Sequence, residues 1–200
     1  MITASNKTII IAVAIVASLT FYFALSVFYL PDFYQSLKIP RPIPFLSEVK
    51  ISESMIHFGN SFDIEITATN TGDSADHQTV SVAFLNLTQT EGFVQITKYD
   101  FPQSPFLIQV GDEIHYDYAS SDDTITAQYP AIEAYGRPWE SNATYHLGLK
   151  VTPEEPGRFV FFVKSVGLPH TDDLSHFPSD GLIDYQREFV KAYSVNVTEP

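Results

Sequence analysis

A segment near the C-terminal end has the residue types that best suit metal binding: carboxylates on both sides of a glycine. Asp180 and Asp184 flank Gly181, and oxygen ligands around a tight turn are typical of calcium sites. The alternating carboxylates that normally lead into a calcium loop are missing, which favours a solvated turn. Asp180 and Asp184 are therefore candidate metal ligands, but we expect a hairpin turn and no cofactor.

Six histidines offer a second route to metal binding. His115 and Asp117 would lie on one face of a strand, and His170 and His176 frame an acidic loop, so a copper or zinc site is an open alternative. No known ligand spacing is present, which favours scattered surface histidines. The alternative function is therefore a metal-binding, cupredoxin-like redox or enzyme domain. Because the chain has no cysteine, such a domain would lack the thiolate of a blue-copper centre.

Catalytic motifs do not stand out in this sequence. There is no G-x-S-x-G elbow and no glycine-rich phosphate loop. The adjacent pairs Asp112-Glu113 and Asp122-Asp123 would point to opposite faces of a strand. We therefore expect a protein that is not an enzyme.

Aromatic side chains provide the best candidates for binding another molecule. Ten of them lie between Phe93 and Tyr145, and such residues form either a core, a sugar-stacking platform or the centre of a protein interface. Proline and glycine surround Tyr129, Tyr135 and Trp139, which disfavours a regular buried strand. We expect these three side chains to be displayed and to bind a partner, with a carbohydrate-binding module as an alternative.

Charge narrows the range of partners. The chain carries 11 Lys and Arg against 24 Asp and Glu, and from Glu48 onward the counts are eight against 23, a net charge of −15. Such an acidic surface disfavours nucleic acid and anionic lipid and attracts cations or basic partners. Without cysteine, the domain must be stabilised by core packing alone.

An apolar stretch near the N-terminus predicts a transmembrane helix. After a tail at 1–8, Ile9 to Leu30 contains 22 residues without a charge, about 33 Å of helix and enough to cross a bilayer. Its length and its aromatic C-terminal end favour an uncleaved signal anchor over a cleaved signal peptide. We therefore expect a single-pass membrane protein.

Glycosylation sequons indicate which side of the membrane the remainder occupies. Four of the six asparagines begin N-x-[ST] motifs, and Asn86, Asn142 and Asn196 lie beyond the helix. Since this motif is the acceptor for glycans outside the cell, we predict an extracellular glycoprotein domain at the cell membrane.

Short alternating strands follow a proline-rich spacer at 31–47. In Phe62 to Thr69 apolar and polar residues alternate, as in a strand with one buried face. Further strands are predicted at 80–85, 93–99, 106–110, 114–118, 145–151, 159–166 and 189–197. We predict an all-β antiparallel sandwich over 48–198, with a long insertion around 88–142.

Two segments resemble a known group of modules. The stretch from Val49 to Leu87, with its Asn70-Thr71-Gly72 turn, and the Pro156-Gly157-Arg158-Phe159 start of a late strand are similar to immunoglobulin-like modules of archaeal and bacterial surface proteins, of the CARDB type. The resemblance implies an immunoglobulin-like fold and a role at the cell surface, and brings no active site with it. The leading hypothesis is a protein-binding or structural accessory subunit of an envelope or membrane complex.

The orientation can be tested with protease. We expect protease added to intact cells or spheroplasts to remove the domain that begins at Glu48, because the sequons indicate that it is external. Immunoblotting of the full chain gives the readout, and a cytoplasmic protein is the control for cell integrity. Complete protection that ends only after detergent lysis would reverse the predicted topology.

Overall fold

A computed structural model describes residues 6–30, 41–115, 124–168, 182–183 and 189–199. The chain forms two compact units, Met1–Ile39 and Pro40–Pro200. The first unit contains the helix, and the second contains the strands.

The N-terminal unit consists of one apolar helix. Helix α1 spans Asn6–Ala24 and continues as a π-helical turn over Leu25–Tyr29. The Thr20 hydroxyl donates to the Val16 carbonyl at 2.9 Å, and the Ser26 hydroxyl donates to the Phe23 carbonyl at 3.1 Å. These two hydroxyls are thus satisfied within the helix. By length and mean hydropathy of 2.3, the stretch Ile11–Tyr29 is able to cross a membrane.

The second unit is built from short strands in chain order. They are β1 (Pro44–Ile51), β2 (Met55–His57), β3 (Phe62–Asn70), β4 (His77–Phe84), β5 (Val94–Tyr99), β6 (Phe106–Ile108), β7 (Glu113–His115), β8 (Thr124–Thr126), β9 (Ala131–Gly136), β10 (Thr144–Val151), β11 (Gly157–Leu168), β12 (Leu182–Ile183) and β13 (Phe189–Thr198).

These strands form two sheets and a hairpin. The smaller sheet has the order β1-β3-β10-β5, and the larger has the order β12-β13-β11-β4-β9-β6. Strand β2 joins the larger sheet by pairing in parallel with β13, so the β1–β2 segment passes from one sheet to the other. Strands β7 and β8 form a separate hairpin.

The core lies between the two sheets. Phe62 of β3 contacts Phe159 and Phe161 of β11 across the sandwich, at ring distances of 5.6 and 6.3 Å. The same core takes alternate residues of β3 and β4, such as Ile64 and Val82, which are fully buried. A second, smaller cluster of Ile108, Ala127 and Ala131, with Ile114 packed against it, joins the β7–β8 hairpin to the larger sheet.

The predicted immunoglobulin-like antiparallel sandwich behind an apolar helix is confirmed. Each of the eight predicted strands overlaps an observed strand of the larger unit, whereas β1, β2, β8, β9 and β12 were not predicted. Strand β1 begins at Pro44, inside the stretch assigned to the spacer. A proline is tolerated there because it is the first residue of an edge strand. The stretch 88–142 supplies β5, β6 and β9 to the two sheets as well as the separate hairpin.

The chain enters the sandwich beside the turn that follows β3. We call this side the N-end, and the opposite side, where β13 finishes at Thr198, the C-end. At the N-end the buried Asn70 amide oxygen accepts hydrogen bonds from the backbone N–H of Ile43 at 3.0 Å and Gly72 at 3.1 Å. Its amide nitrogen donates to the carbonyls of Asp73 at 2.6 Å and Trp139 at 3.4 Å. One side chain therefore ties three chain segments together, an arrangement we call the Asn70 clamp.

Gly72 permits the close contact within the clamp. A Cβ at this position would collide with the Arg41 carbonyl oxygen and lie 2.6 Å from the Ile43 nitrogen. These are backbone atoms, which cannot rotate away as a side chain can. Two backbone bonds add to the contact, from Thr71 N–H to the Ile43 carbonyl and from Asp73 N–H to the Arg41 carbonyl, both 3.0 Å.

We expect Asn70→Ala to destabilise the sandwich by about 3 kcal/mol, because two part-buried backbone N–H groups lose their acceptor, at roughly 1–3 kcal/mol for each donor that becomes buried without one. Urea unfolding of the full chain in detergent, followed by circular dichroism, measures the change. Asn60→Ala is the matched control, since this exposed amide should change stability by less than about 0.5 kcal/mol. Equal stabilities for the two variants would contradict the role of the clamp.

Candidate functional site: aromatic residues and an exposed apolar ridge

Trp139 lies in the core, so the expectation that it is displayed is wrong. Its side chain is 0% exposed and packs edge-on against Tyr145 at 4.7 Å and Phe101 at 5.6 Å. The indole N–H donates to the Ala143 carbonyl at 3.0 Å, which satisfies its polar atom inside the protein. Trp139 therefore closes the N-end of the core.

The backbone explains this placement. Ala131–Gly136 forms strand β9 inside the larger sheet, between β4 and β6, so the expectation that this stretch is not a regular strand is also wrong. After β9, Trp139 pairs with Ala75 through two backbone hydrogen bonds of 3.0 and 2.9 Å. This bridge turns the chain back under the sheet and brings the indole inward.

Tyr129 and Tyr135 are partly buried. Tyr135 stacks on His77 at a ring distance of 5.1 Å and meets Phe106 edge-on at 6.1 Å. The three rings form a row from β4 across β9 to β6. The partner-binding role of Tyr129 and Tyr135 stays a prediction.

Four large apolar side chains between residues 99 and 110 are exposed, and one of them, Phe106, ends this aromatic row. Tyr99, Phe106, Leu107 and Val110 are 45, 43, 44 and 53% exposed. They lie at the end of β5, on edge strand β6 and just after it, and the Tyr99 hydroxyl is 3.2 Å from the Ser104 hydroxyl in the connecting loop. We call these four residues the β6 ridge.

The sequence contained a signal for the ridge that the strand prediction did not use. Phe106, Leu107 and Ile108 are three apolar residues in succession. Because side chains alternate across a strand, burying all three residues would require protein on both faces of the strand. At an edge strand that cover is incomplete, and only Ile108 is buried.

A carboxylate–imidazole pair fastens the end of β5 to β10. The Asp100 carboxylate is 2.7 Å from the His146 Nδ1 and accepts the His146 backbone N–H at 2.5 Å. Burial by itself would raise the pKa of Asp100, but these hydrogen bonds outweigh it and hold the pKa below its ordinary value. The pair fixes the start of the loop that carries Phe101 into the core.

At the C-end there is an open cavity of ≈ 520 Å³. Its lining includes Glu53, His57 and Lys150; the His57 ring lies 2.9 Å from the Thr198 hydroxyl. Pockets that bury small ligands are mostly apolar with few polar groups. Because this cavity is polar and open to solvent, we assign it no ligand.

The three sequon asparagines beyond the helix are exposed. The Asn86 side-chain oxygen accepts the Val160 N–H at 2.7 Å, and Asn142 has a positive φ of 61°. Asn196 lies on β13, where it pairs with Arg158. Asn86 and Asn196 thus flank β11 near the C-end, whereas Asn142 lies at the N-end. Glycosylation at these positions stays a prediction.

The candidate metal ligands Asp180 and Asp184 lie outside the described residues, as do His170 and His176. Within the described ranges, no group of three or more His, Asp or Glu side chains is arranged to hold a metal ion. Of the predicted site residues that are described, the structure brings none into a common site.

Comparison with known proteins finds similarity only among solved structures. No family model and no curated protein matches the chain. A CARDB domain from Pyrococcus furiosus, solved in complex with di-metal ions, is 10% identical with a TM-score of 0.42, over 81% of this chain and 96% of that one. A cohesin module from a Clostridium perfringens family 33 glycoside hydrolase is 10% identical with a TM-score of 0.35, over 80% and 99%.

A β-glucosidase from Listeria innocua is also similar, at 14% identity and a TM-score of 0.35. The match covers 80% of this chain but only 16% of the enzyme. A CARDB domain, the type of module that the sequence resembles, is thus among the similar structures. Likenesses this distant do not extend to ligand, partner or activity.

The position of Trp139 in the core can be tested by truncation. We expect Trp139→Ala to cost about 3–5 kcal/mol, as the loss of a fully buried aromatic side chain does. Thermal melting of the full chain in detergent measures the loss. Phe106→Ala is the control for a half-exposed aromatic residue and should cost clearly less. A Trp139→Ala protein as stable as the parent would contradict the assignment to the core.

Proposed function

We propose that this protein is a membrane-tethered, non-catalytic accessory subunit whose sandwich binds another protein of the envelope or membrane. The observation that carries the proposal is the β6 ridge. Isolated apolar residues are common on protein surfaces, whereas groups of exposed apolar residues are typical of interaction sites. The ridge also continues through Phe106 into the stacked, partly buried rings of Tyr135 and His77.

The apolar helix supports the tether. Its 22 uncharged residues are longer than the apolar core of a cleaved signal peptide, and we propose that it stays attached as an anchor with the sandwich outside. Three exposed sequon asparagines support that orientation.

Charge favours a different protein over a second copy of the chain as the partner. Two domains with a net charge of −15 each from Glu48 onward repel one another at low ionic strength. A partner with a neutral or basic surface around an apolar patch would complement the ridge and the net negative charge of the domain.

Affinity purification from native membranes tests this role. We expect the double variant Phe106→Ser and Leu107→Ser to stay folded and to lose a stoichiometric partner that the parent protein recovers, because half-exposed side chains contribute to the interface more than to the core. Quantitative mass spectrometry of the eluates gives the recovery.

Met55→Ser combined with Phe58→Ser is the matched control, since both residues are exposed and apolar but lie at the C-end. The control should retain the partner. If the ridge variant recovers as much partner as the parent protein, the ridge is not part of the interface. If the parent protein itself recovers no stoichiometric partner, the accessory role is contradicted.

A further inference from the structure

A second group of exposed apolar side chains lies where the chain enters the sandwich. Burial alternates along this segment: Pro42, Pro44 and Leu46 are buried, whereas Ile43 and Phe45 are 54 and 49% exposed. Side chains two residues apart in an extended chain point to the same side. Ile43 and Phe45 therefore form one apolar surface.

The edge of the larger sheet extends this surface. The Lys191 ammonium group of β13 lies 5.8 Å from the centre of the Phe45 ring, which is a cation–π contact. The residue before it, Val190, pairs with Leu182 of edge strand β12, and Leu182 is 55% exposed. We call Ile43, Phe45, Leu182 and Lys191 the entry patch.

The entry patch and the β6 ridge lie at opposite edges of the larger sheet. Five strand spacings separate β12 from β6, about 24 Å at roughly 4.8 Å each. A partner that binds at the ridge alone leaves the entry patch open.

The length of the spacer keeps a membrane within reach of the patch. Arg41 follows Leu30 by eleven residue steps, at most about 40 Å of extended chain. If the helix spans the bilayer, as proposed above, the membrane surface is always available to Ile43. Tethering of this kind raises the effective concentration of the binding surface, so a weak contact is enough.

The chemistry of the patch suits the headgroup region of a bilayer. Aromatic and aliphatic side chains enter the boundary between headgroups and acyl chains, and a lysine there keeps its ammonium group among the headgroups. Arg41 is a second exposed cation beside the patch, and the carboxylate near it, that of Asp73, accepts the Arg41 backbone N–H. Both cations are therefore suited to lipid phosphates.

Charge and size narrow the choice of occupant. The net charge of −15 from Glu48 onward opposes anionic lipid, which favours zwitterionic phospholipid. Stable protein–protein interfaces contain about 20–30 residues on each side, and the entry patch is much smaller than that. A lipid surface that is already held nearby needs no such area.

We infer that the entry patch is a lipid-contact site, which holds the sandwich against zwitterionic phospholipid of the membrane that its helix spans. The inference rests on the proposed tether and goes beyond it, because it gives the sandwich a membrane contact of its own. The ridge, at the opposite edge of the larger sheet, stays free for a partner.

Fluorescence quenching on the full chain in nanodiscs tests the inference. The chain has no cysteine, so Ser47→Cys carries a single fluorophore at an exposed position two residues from Phe45 and keeps the patch intact. Glu91→Cys carries the same fluorophore at an exposed position of the C-end. The discs hold one chain each in phosphatidylcholine, part of which has a spin-labelled headgroup as the quencher.

We expect quenching at position 47 to be severalfold stronger than at position 91. Ile43→Ser combined with Phe45→Ser should lower the quenching at position 47 severalfold, with an unchanged circular dichroism spectrum. Lys191→Glu should also weaken it, because a carboxylate repels lipid phosphate, and this variant keeps every apolar residue of the patch.

Met55→Ser combined with Phe58→Ser is the matched control and should leave the quenching at position 47 unchanged. Equal quenching at positions 47 and 91, or quenching at position 47 that survives the patch substitutions, would overturn the inference. Quenching that requires two chains in each disc would assign the patch to a second copy and overturn it as well.

The inference and the proposed function fail in different ways. A chain that does not enter the discs would contradict the tether and the lipid contact together. A chain that lacks the lipid contact but still recovers a partner through the ridge would contradict the lipid contact alone.

Discussion

The arrangement of the sandwich depends on the buried amide of Asn70. A buried amide that lacks partners is costly, and here its partners are backbone groups of Ile43, Gly72, Asp73 and Trp139. Satisfying them sets where the chain enters and hence the register of β1. It also places the loop that carries Trp139 over the end of the core. The Asn70-Thr71-Gly72 turn was predictable, but the contacts of its first side chain with segments about 30 and 70 residues away were not.

Strands with one solvent-exposed face were predictable from the sequence, whereas strands buried on both faces were not. Phe62 to Thr69 alternates because Asp63 and Glu65 face solvent. Strand β9 instead has buried residues on both faces, so small side chains such as Ala131 and Ala134 replace the alternation. The prolines that flank β9, Pro130 and Pro138, are typical of a loop. The expectation that Trp139 is displayed was wrong for a related reason. The backbone bridge that places it in the core is made with Ala75, which is far from it in sequence and gives no local signal.

Strand edges limit how a partner can bind. Both edge strands of the smaller sheet are irregular: the register of β1 shifts at Ser47, and that of β5 shifts at Thr97. Each also carries an exposed lysine, Lys50 or Lys98. Bulges and lysines at an edge oppose the addition of a foreign strand. Binding of a partner through side-chain contacts, as at the β6 ridge, is therefore favoured over binding by a strand that the partner adds to one of the sheets.

The separate β7–β8 hairpin has a consequence for the dynamics of the domain. It is attached through the small cluster of Ile108, Ala127, Ala131 and Ile114, whereas the main core contains more than twenty buried residues. Local stability follows the apolar area that each part buries. We therefore expect the amide hydrogens of the hairpin to exchange with solvent through local opening, and those of β3 and β11 to exchange only when the whole sandwich unfolds. Such a domain would combine a stable frame with a subregion that opens independently.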